Sequence, residues 1–408
     1  MTQDLENTPS AARLFAPGKK RILALDGGGV RGMITVAFLA RIEATLREET
    51  GRPDYVLSDY FDLIGGTSVG SLLATMLSLG MEMREVEEKF RAWAPEIFKG
   101  RLSMLGIKRF DGRSLVQKIQ MVTGEETLGS TRLHTGLAIV AKRVDTGSPW
   151  VMINNPRMKF FDDREGPEGW IGNRHYKLWS ILRASTAAPF YFRPTRIAIH
   201  NDTERKDDNG VFVDGGVSPH NNPALQLFLM AGLPSYGLEW SRTPQDLSII
   251  SVGAGTHRTR VAGGGFSRSF LSEMTSVATG YLASDLPAAK FAAETLRTMV
   301  ADGQTFGLKM LQAMSQPRFS WRINSEIGDL SGETFLPEPL QAGLLSFQRY
   351  DAPFELGLLP EAYDIAASKK ERERMFAIDE PNNLKKLWDY GVEAAEKQVS
   401  REDFAGFL

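Results

Sequence analysis

The chain has 408 residues, of which 42% are hydrophobic and 24% charged, and its formal net charge is −2. These values are ordinary for a globular protein with a substantial core, and a net charge so close to zero argues against nucleic acid or an anionic membrane as an electrostatic partner. The chain contains no cysteine, which excludes a thiol nucleophile, a thiolate metal site and a disulfide framework.

The beginning of the chain is polar. Residues 1–20 contain no apolar stretch of signal-peptide length, and we expect them to form a flexible leader. No window of the sequence reaches the roughly 20 apolar residues that a membrane span requires. We therefore expect a cytoplasmic protein.

Strand and helix patterns alternate in the next part of the chain. Arg21–Leu25 and Phe61–Ile64 are apolar runs typical of buried strands, and each meets a glycine-rich turn. Met33–Thr50 and Ser71–Leu79 follow these turns with helical spacing. Strand, turn and helix, twice in succession, predict an α/β fold with a largely parallel sheet. Further strands are predicted at Gly136–Lys142, Trp150–Asn154, Val211–Val213 and Leu247–Val252.

The pattern changes after Gly255. Gly263–Gly265 predicts a loop, Phe270–Met314 is mostly helical in spacing, and Asn382–Val399 predicts a closing helix. We expect an α/β domain at residues 21–262 and a mainly helical region at 263–408 that packs on it. The apolar helices of Phe266–Met314 are expected to be core, with an acyl-chain groove or a membrane-surface contact as the alternative.

A glycine-rich loop follows the first predicted strand. Gly27–Gly32 satisfies the G-x-G-x-x-G pattern of a dinucleotide site, so a dinucleotide-dependent oxidoreductase is one alternative. Asp26 abuts the loop, where a carboxylate disfavours pyrophosphate. The next strand ends at Gly66–Gly70 and offers no acidic residue suited to a ribose hydroxyl.

The other interpretation of this loop is an oxyanion hole. Backbone amides of Gly27, Gly28 and Gly29, with the positive end of the following helix, could stabilise the negative oxygen of an acyl-transfer intermediate. Arg31 could add charge or anchor a phosphate. The structural alternative is a tight strand–helix turn with Arg31 in a salt bridge.

The second turn carries a serine. Gly66-Thr67-Ser68-Val69-Gly70 fits the G-x-S-x-G pattern of a nucleophile elbow, in which Gly66 and Gly70 leave room for a strained turn. A strand pattern precedes it and a helix pattern follows it, as that motif requires. Ser68 is the predicted nucleophile, and Asp62 is expected to be a structural carboxylate.

A serine nucleophile needs a base. A triad in the order Ser, Asp, His leaves His220 and His257 as histidine candidates, and nothing in their surroundings marks either. Asp214 is the stronger candidate, because it stands at a predicted strand end before Gly215 and Gly216. A carboxylate can act directly as a general base when the hydroxyl lies within hydrogen-bond reach.

Together these blocks resemble the patatin-like phospholipases. The similarity covers roughly residues 21–256 and also includes a predicted strand and glycine turn near its end. Phe347–Asp351 and the closing helix are similar to those of bacterial members, in which this region covers the core. The matching blocks are Asp26–Gly32, Gly66–Gly70, Ala184–Pro189, Asp214–Gly216, Asn221–Pro223 and Ser251–Thr256.

This resemblance implies a three-layer α/β/α fold, with residues 21–262 as the catalytic domain. It implies a Ser68–Asp214 dyad without histidine that cleaves fatty-acyl esters of phospholipids or glycerolipids, with no metal or cofactor. We therefore expect insensitivity to chelators and no loss of rate near the histidine pKa of about 6.5.

Two further alternatives stay open at this point. One is a carboxylesterase or lipase of broad specificity for short acyl esters, and the other is a catalytically silent relative that binds lipid. The expected partner is a lipid or ester substrate, with peripheral contact to a membrane surface and no nucleic acid. The sequence does not define the oligomeric state.

Overall fold

A computed structural model describes residues 8–102, 108–165, 169–189, 191–200, 209–255, 311, 343–352, 375 and 377–408. In these residues the strands are β1 Lys20–Leu25, β2 Leu63–Thr67, β3 Arg101–Leu102, β4 Lys108–Arg109, β5 Gly136–Arg143, β6 Pro149–Ile153, β7 Thr195–Ile197, β8 Gly210–Asp214, β9 Leu247–Val252 and β10 Ser346–Tyr350. The α-helices are α1 Pro9–Phe15, α2 Gly32–Thr50, α3 Leu57–Tyr60, α4 Val69–Ser78, α5 Met83–Ile97, α6 Gly112–Thr123, α7 Leu178–Ser185, α8 Ala224–Gly232, α9 Leu384–Gln398 and α10 Glu402–Ala405.

Eight of the described strands form one sheet in the order β10-β9-β1-β2-β5-β8-β7, and β6 also pairs with β5. The ladders from β10 to β5 are parallel. The ladders that involve β6, β7 and β8 are antiparallel. The predicted α/β fold with a mostly parallel sheet is confirmed.

Side chains of β1 alternate between the two faces of the sheet, as expected for a strand buried on both sides. Leu23 and Leu25 belong to one buried cluster, with α2, α4 and α9. Ile22 and Ala24 belong to the other, with α1 and α8. This arrangement is the predicted three-layer architecture. Among the described residues, no helix combines the length and apolar character needed to cross a membrane.

The two strands that carry the predicted nucleophile and base meet end to end on β5. Thr67 of β2 pairs with Val140, and Asp214 of β8 pairs with the next residue, Ala141. Because β6 pairs with both of these β5 residues, it occupies one edge of β5, and β2 and β8 share the other. Since β2 runs parallel and β8 antiparallel to β5, their carboxyl ends point towards each other.

A helix lies within the predicted leader at residues 1–20, of which the structure describes residues 8–20. Residues 9–15 form α1, which is capped by the Thr8 side chain, and Leu14 is fully buried. The Leu14 carbonyl accepts a hydrogen bond from Trp240 Nε1 at 2.9 Å. The sequence pattern of such a short helix does not reveal that a tryptophan more than 200 residues later will cover it.

The region after residue 262 contributes a strand to the sheet as well as helices. β10 extends the sheet beside β9, and α9 packs against α2. The predicted loop at Gly263–Gly265 lies outside the described residues, and so does the predicted helical segment Phe270–Met314 apart from Leu311.

The contact between α9 and α2 generates a stability prediction. A Cβ added to Gly391 would lie 2.8 Å from Ala37 Cβ and 3.0 Å from Ile34 Cα. Because the interface has no room, Gly391→Val should lower the free energy of unfolding by about 1–3 kcal/mol. Urea denaturation measures this change. Gly406→Ala is the matched control, because a Cβ there meets nothing within 4 Å. Equal denaturation midpoints for the two variants would contradict the packing described.

Candidate active site

Ser68 occupies a strained turn between β2 and α4. Its backbone has φ 54° and ψ −128°, and Glu239 is the only other non-glycine residue with positive φ in the described part of the chain. Such strain persists only when the surroundings enforce it. A Cβ on Gly66 would lie 2.1 Å from the Gly70 carbonyl oxygen, so the turn requires glycine there. The predicted strand, serine and helix are therefore present, and the positive end of the α4 dipole lies at Ser68.

Ser68 and Asp214 are in direct contact. Ser68 Oγ donates a hydrogen bond to Asp214 Oδ2 at 2.6 Å, and the Gly216 amide donates to Asp214 Oδ1 at 2.7 Å. Asp214 is 4% exposed, whereas Ser68 is only half-buried. Burial raises the pKa of Asp214 to about 6, although the hydrogen bonds from Ser68 and Gly216 oppose this shift. The carboxylate is thus poised to exchange a proton near neutral pH.

The last residue of α7 and the segment after it hold both members of this pair. Ser185 Oγ accepts a hydrogen bond from the Ser68 amide at 2.9 Å and donates to the Val140 carbonyl at 2.6 Å. Two residues later, the Ala187 carbonyl accepts the Asp214 amide at 3.0 Å. Sequence reasoning assigned no role to Ser185. Its signal was weak: one of two adjacent hydroxyl residues in the alanine-rich block Ala184–Pro189.

The Gly27–Gly29 loop lies against the nucleophile. A Cβ on Gly27 would be 3.1 Å from Ser68 Cβ. The Gly27 amide donates to the Asn221 carbonyl at 3.1 Å, so it is already engaged. The amides of Gly28 and Gly29 have no backbone acceptor among the described residues. Of the three amides predicted for an oxyanion hole, these two are available.

Three other residues singled out in the sequence have defined places. Arg31 Nη1 donates to the Gly255 carbonyl at 2.7 Å, so this end of the guanidinium is directed towards the segment after β9. Gly215 packs against β5: a Cβ there would lie 2.6 Å from the Val140 carbonyl oxygen. Asp62 receives hydrogen bonds from the Arg21 amide and from Arg21 Nε, which confirms it as a structural carboxylate.

Histidine takes no part in the contact between serine and aspartate as far as the structure describes the chain. No ring nitrogen of a described histidine bonds to Ser68 or Asp214. Burial lowers the pKa of His220, which keeps its ring neutral at pH 7. His257 lies outside the described residues. No three His, Asp or Glu side chains come together as a metal site within the ranges described.

Comparison with known proteins gives consistent matches. A family model described as patatin-like phospholipase matches residues 23–228. A protein named cGAMP-activated phospholipase from Escherichia coli (strain TW11681) is 33% identical over 239 residues, which are 57% of this chain and 61% of that protein. One of the same name from Vibrio cholerae is 34% identical over 217 residues, covering 50% and 56%. Patatin-15 from Solanum tuberosum is 30% identical over 251 residues, covering 58% and 60%. The matched part of this chain therefore spans about three fifths of these relatives.

The raised pKa of Asp214 replaces the expectation of a flat rate profile near pH 6.5. Only the ionised carboxylate can accept a proton, so kcat/KM for an ester should fall below an apparent pKa of about 6. The slope of that acid limb should be one decade per pH unit. A pH–rate profile with p-nitrophenyl butyrate measures it. The same limb should persist in His220→Asn; its disappearance in that variant would assign the titration to the histidine.

Ser185 generates a second prediction. Ser185→Ala leaves the Ser68 amide without its acceptor, and loss of a buried hydrogen bond costs about 1–3 kcal/mol. Because that bond fixes the strained turn, we expect kcat to fall about tenfold while KM changes little. Thr186→Val is the matched control, since the Thr186 hydroxyl bonds only to carbonyls within α7. An equal effect of both variants on kcat would show that Ser185 acts only on stability.

Proposed function

This chain belongs to the patatin-like phospholipase family, and we propose that it is a serine hydrolase that cleaves fatty-acyl esters of phospholipids or glycerolipids. The observation that carries the proposal is the 2.6 Å hydrogen bond from Ser68 Oγ to the buried carboxylate of Asp214. A hydroxyl already bonded to a general base, on a strained turn at a helix N-terminus, is the arrangement that nucleophilic acyl transfer needs.

In the acylation half of the proposed reaction, Asp214 Oδ2 accepts the Ser68 proton as Ser68 Oγ attacks the ester carbonyl carbon. The carbonyl oxygen becomes negative, and the amides of Gly28 and Gly29 donate to it. Each such donor commonly contributes a few kcal/mol to transition-state stabilisation. The bond between the carbonyl carbon and the ester oxygen then breaks. Asp214 returns the proton to the leaving alcohol, and the acyl group stays on Ser68.

In the deacylation half, Asp214 takes a proton from water, whose oxygen attacks the acyl carbon. The same two amides stabilise the second oxyanion. Collapse of the intermediate releases the fatty acid, and Asp214 returns the proton to Ser68 Oγ. The chain's own carboxylate and amides thus supply both proton transfer and charge stabilisation, so we expect a metal-independent reaction.

The other functional classes have less support. A catalytically silent lipid-binding protein is disfavoured because the Ser68–Asp214 contact is intact. The oxidoreductase alternative is disfavoured because the Gly27–Gly29 loop lies against a nucleophile elbow in a chain of a hydrolase family. A broad esterase for short acyl chains uses the same chemistry and is the alternative that requires an experiment. Peripheral contact with a membrane surface and a cytoplasmic location remain predictions.

Removal of either member of the pair tests the mechanism. Ser68→Ala should abolish labelling by a fluorophosphonate probe, and both Ser68→Ala and Asp214→Asn should lower kcat/KM by about 10³-fold or more. Ser58→Ala is the control, because it removes a buried hydroxyl that has no hydrogen-bond partner within the described residues. Retained hydrolysis in Ser68→Ala would refute the proposal. Full activity of Asp214→Asn would refute the role of that carboxylate.

A substrate panel separates the lipid hydrolase from the short-chain esterase. Fatty-acid release from phosphatidylcholine vesicles, from triacylglycerol emulsion and from p-nitrophenyl butyrate is measured with and without EDTA. A higher kcat/KM on either lipid, unchanged by EDTA, supports the proposal; activity confined to the butyrate supports the alternative. Because two relatives are named for activation by cGAMP, each assay is repeated with that nucleotide.

A further inference from the structure

We propose that Arg349 on β10 is a positioning residue for the Gly27–Gly29 loop, so that residues far beyond the nucleophile and the base determine how well the loop receives the oxyanion. The inference rests on the proposed function, because it takes the loop to be the oxyanion hole. It is carried by a continuous set of contacts, here called the loop clamp, formed by Asp26, Arg349, Asp351, Gly255 and Arg31.

The first end of the loop clamp is Asp26, the residue directly before Gly27. Arg349 Nη1 donates to Asp26 Oδ1 at 2.9 Å, and Arg349 Nη2 donates to Asp26 Oδ2 at 2.7 Å. Both carboxylate oxygens are thus bound by one planar guanidinium, the geometry that arginine provides and lysine does not. Asp26 is 3% exposed. Its orientation therefore depends on the guanidinium and on the Asn222 amide, which also donates to Oδ1.

The second end of the loop clamp is Arg31, which follows the loop. Arg349 Nη2 also donates to Asp351 Oδ2 at 2.8 Å, and Asp351 Oδ1 accepts the Gly255 amide at 2.9 Å. The Gly255 carbonyl in turn accepts Arg31 Nη1 at 2.7 Å. The contacts therefore run from the residue before the three glycines to a residue just after them, and Arg349 stands at their centre.

A further contact holds the chain directly after the three glycines. The Ile378 carbonyl accepts the Val30 amide at 2.9 Å. Asp351 is itself tied to α9, because Gln398 Nε2 donates to the Asp351 carbonyl at 2.7 Å. Asn221 and Asn222 also bond to the loop and to Asp26, but Arg349, Asp351, Gly255 and Ile378 all lie beyond residue 228, where the family match ends.

The electrostatics of the loop clamp keep Arg349 charged. Burial on its own would lower the pKa of the guanidinium, but the charges of Asp26 and Asp351 raise it overall. The Arg349 side chain is 18% exposed, and a largely buried cation between two carboxylates has strict geometric requirements, since loss of one partner leaves an uncompensated charge. Oxyanion donors act only when they are held within about 0.5 Å of the productive position. Loosening Asp26 should therefore displace the adjacent glycine amides and lower the rate.

The experiment compares two arginines of the same chain. Arg349→Lys keeps the positive charge but loses the paired hydrogen bonds to the two oxygens of Asp26. We expect kcat for p-nitrophenyl butyrate to fall about 10–100-fold while KM changes less than twofold. A change in kcat alone marks an interaction that acts in the transition state. Arg21→Lys is the matched control: Arg21 forks onto the buried Asp62 at the opposite end of β1. That variant should lose thermal stability and retain kcat.

A second variant decides the question if Arg349→Lys does not fold. Asp351→Asn keeps the side-chain shape and removes one carboxylate from Arg349, and kcat should fall several-fold at constant KM. Wild-type kcat per folded molecule in every folded variant, or a rise in KM alone, would overturn the proposal. Activity that survives Ser68→Ala would instead refute the proposed function, and the loop clamp would lose its role with it.

Discussion

The contact between Ser68 and Asp214 depends on strand register. Thr67 and Asp214 pair with neighbouring residues of β5, on an edge where β2 and β8 arrive from opposite directions. A slip of one residue in either ladder would turn every side chain of that strand to the opposite face of the sheet. The hydroxyl and the carboxylate would then no longer meet. The Ser185 hydroxyl accepts the Ser68 amide, and the Ala187 carbonyl accepts the Asp214 amide. These two bonds support the same register from outside the sheet.

Two buried carboxylates at strand ends have different roles because they have different partners. Asp26 is bound by both terminal nitrogens of the Arg349 guanidinium; burial raises the pKa of Asp26 to about 6, although the charge and hydrogen bonds of Arg349 oppose that shift. Asp214 has a neutral hydroxyl and a neutral amide on its two oxygens, and burial raises its pKa to about 6 as well. Neutral partners leave a carboxylate free to accept a proton, whereas a forked ion pair holds it as a structural anchor. The identity of the partners, and not the pKa, therefore distinguishes the proposed base from the structural support.

Much of the fold could be predicted because its signals are local. The apolar runs gave β9 at its observed bounds and β1 within one residue, and the glycine turns placed the elbow between β2 and α4. Local patterns marked the serine and the aspartate as separate candidates, but no spacing rule could show that they meet, since their contact spans 146 residues. Similarly, no local pattern near Asp26 predicts its ion pair with Arg349, which is 323 residues away.

The remaining differences also arise from long-range contacts. The indole of Trp240 donates to a carbonyl of α1, and the carbonyl of Asn221 accepts the Gly27 amide. The direction of β8 was not predictable, because a short apolar run fits a parallel and an antiparallel neighbour equally well. The role of Ser185 was missed for the same reason, because it depends on a contact with the distant strained turn at Ser68.

A crystal structure of the protein after reaction with a fluorophosphonate tests the central claim most directly, because the adduct resembles the tetrahedral intermediate. We predict a bond from phosphorus to Ser68 Oγ, with a phosphoryl oxygen about 3 Å from the amides of Gly28 and Gly29. The Asp214 carboxylate should stay within hydrogen-bond reach of the adduct. A phosphorus atom on another side chain, or an oxygen directed away from both glycine amides, would contradict the account.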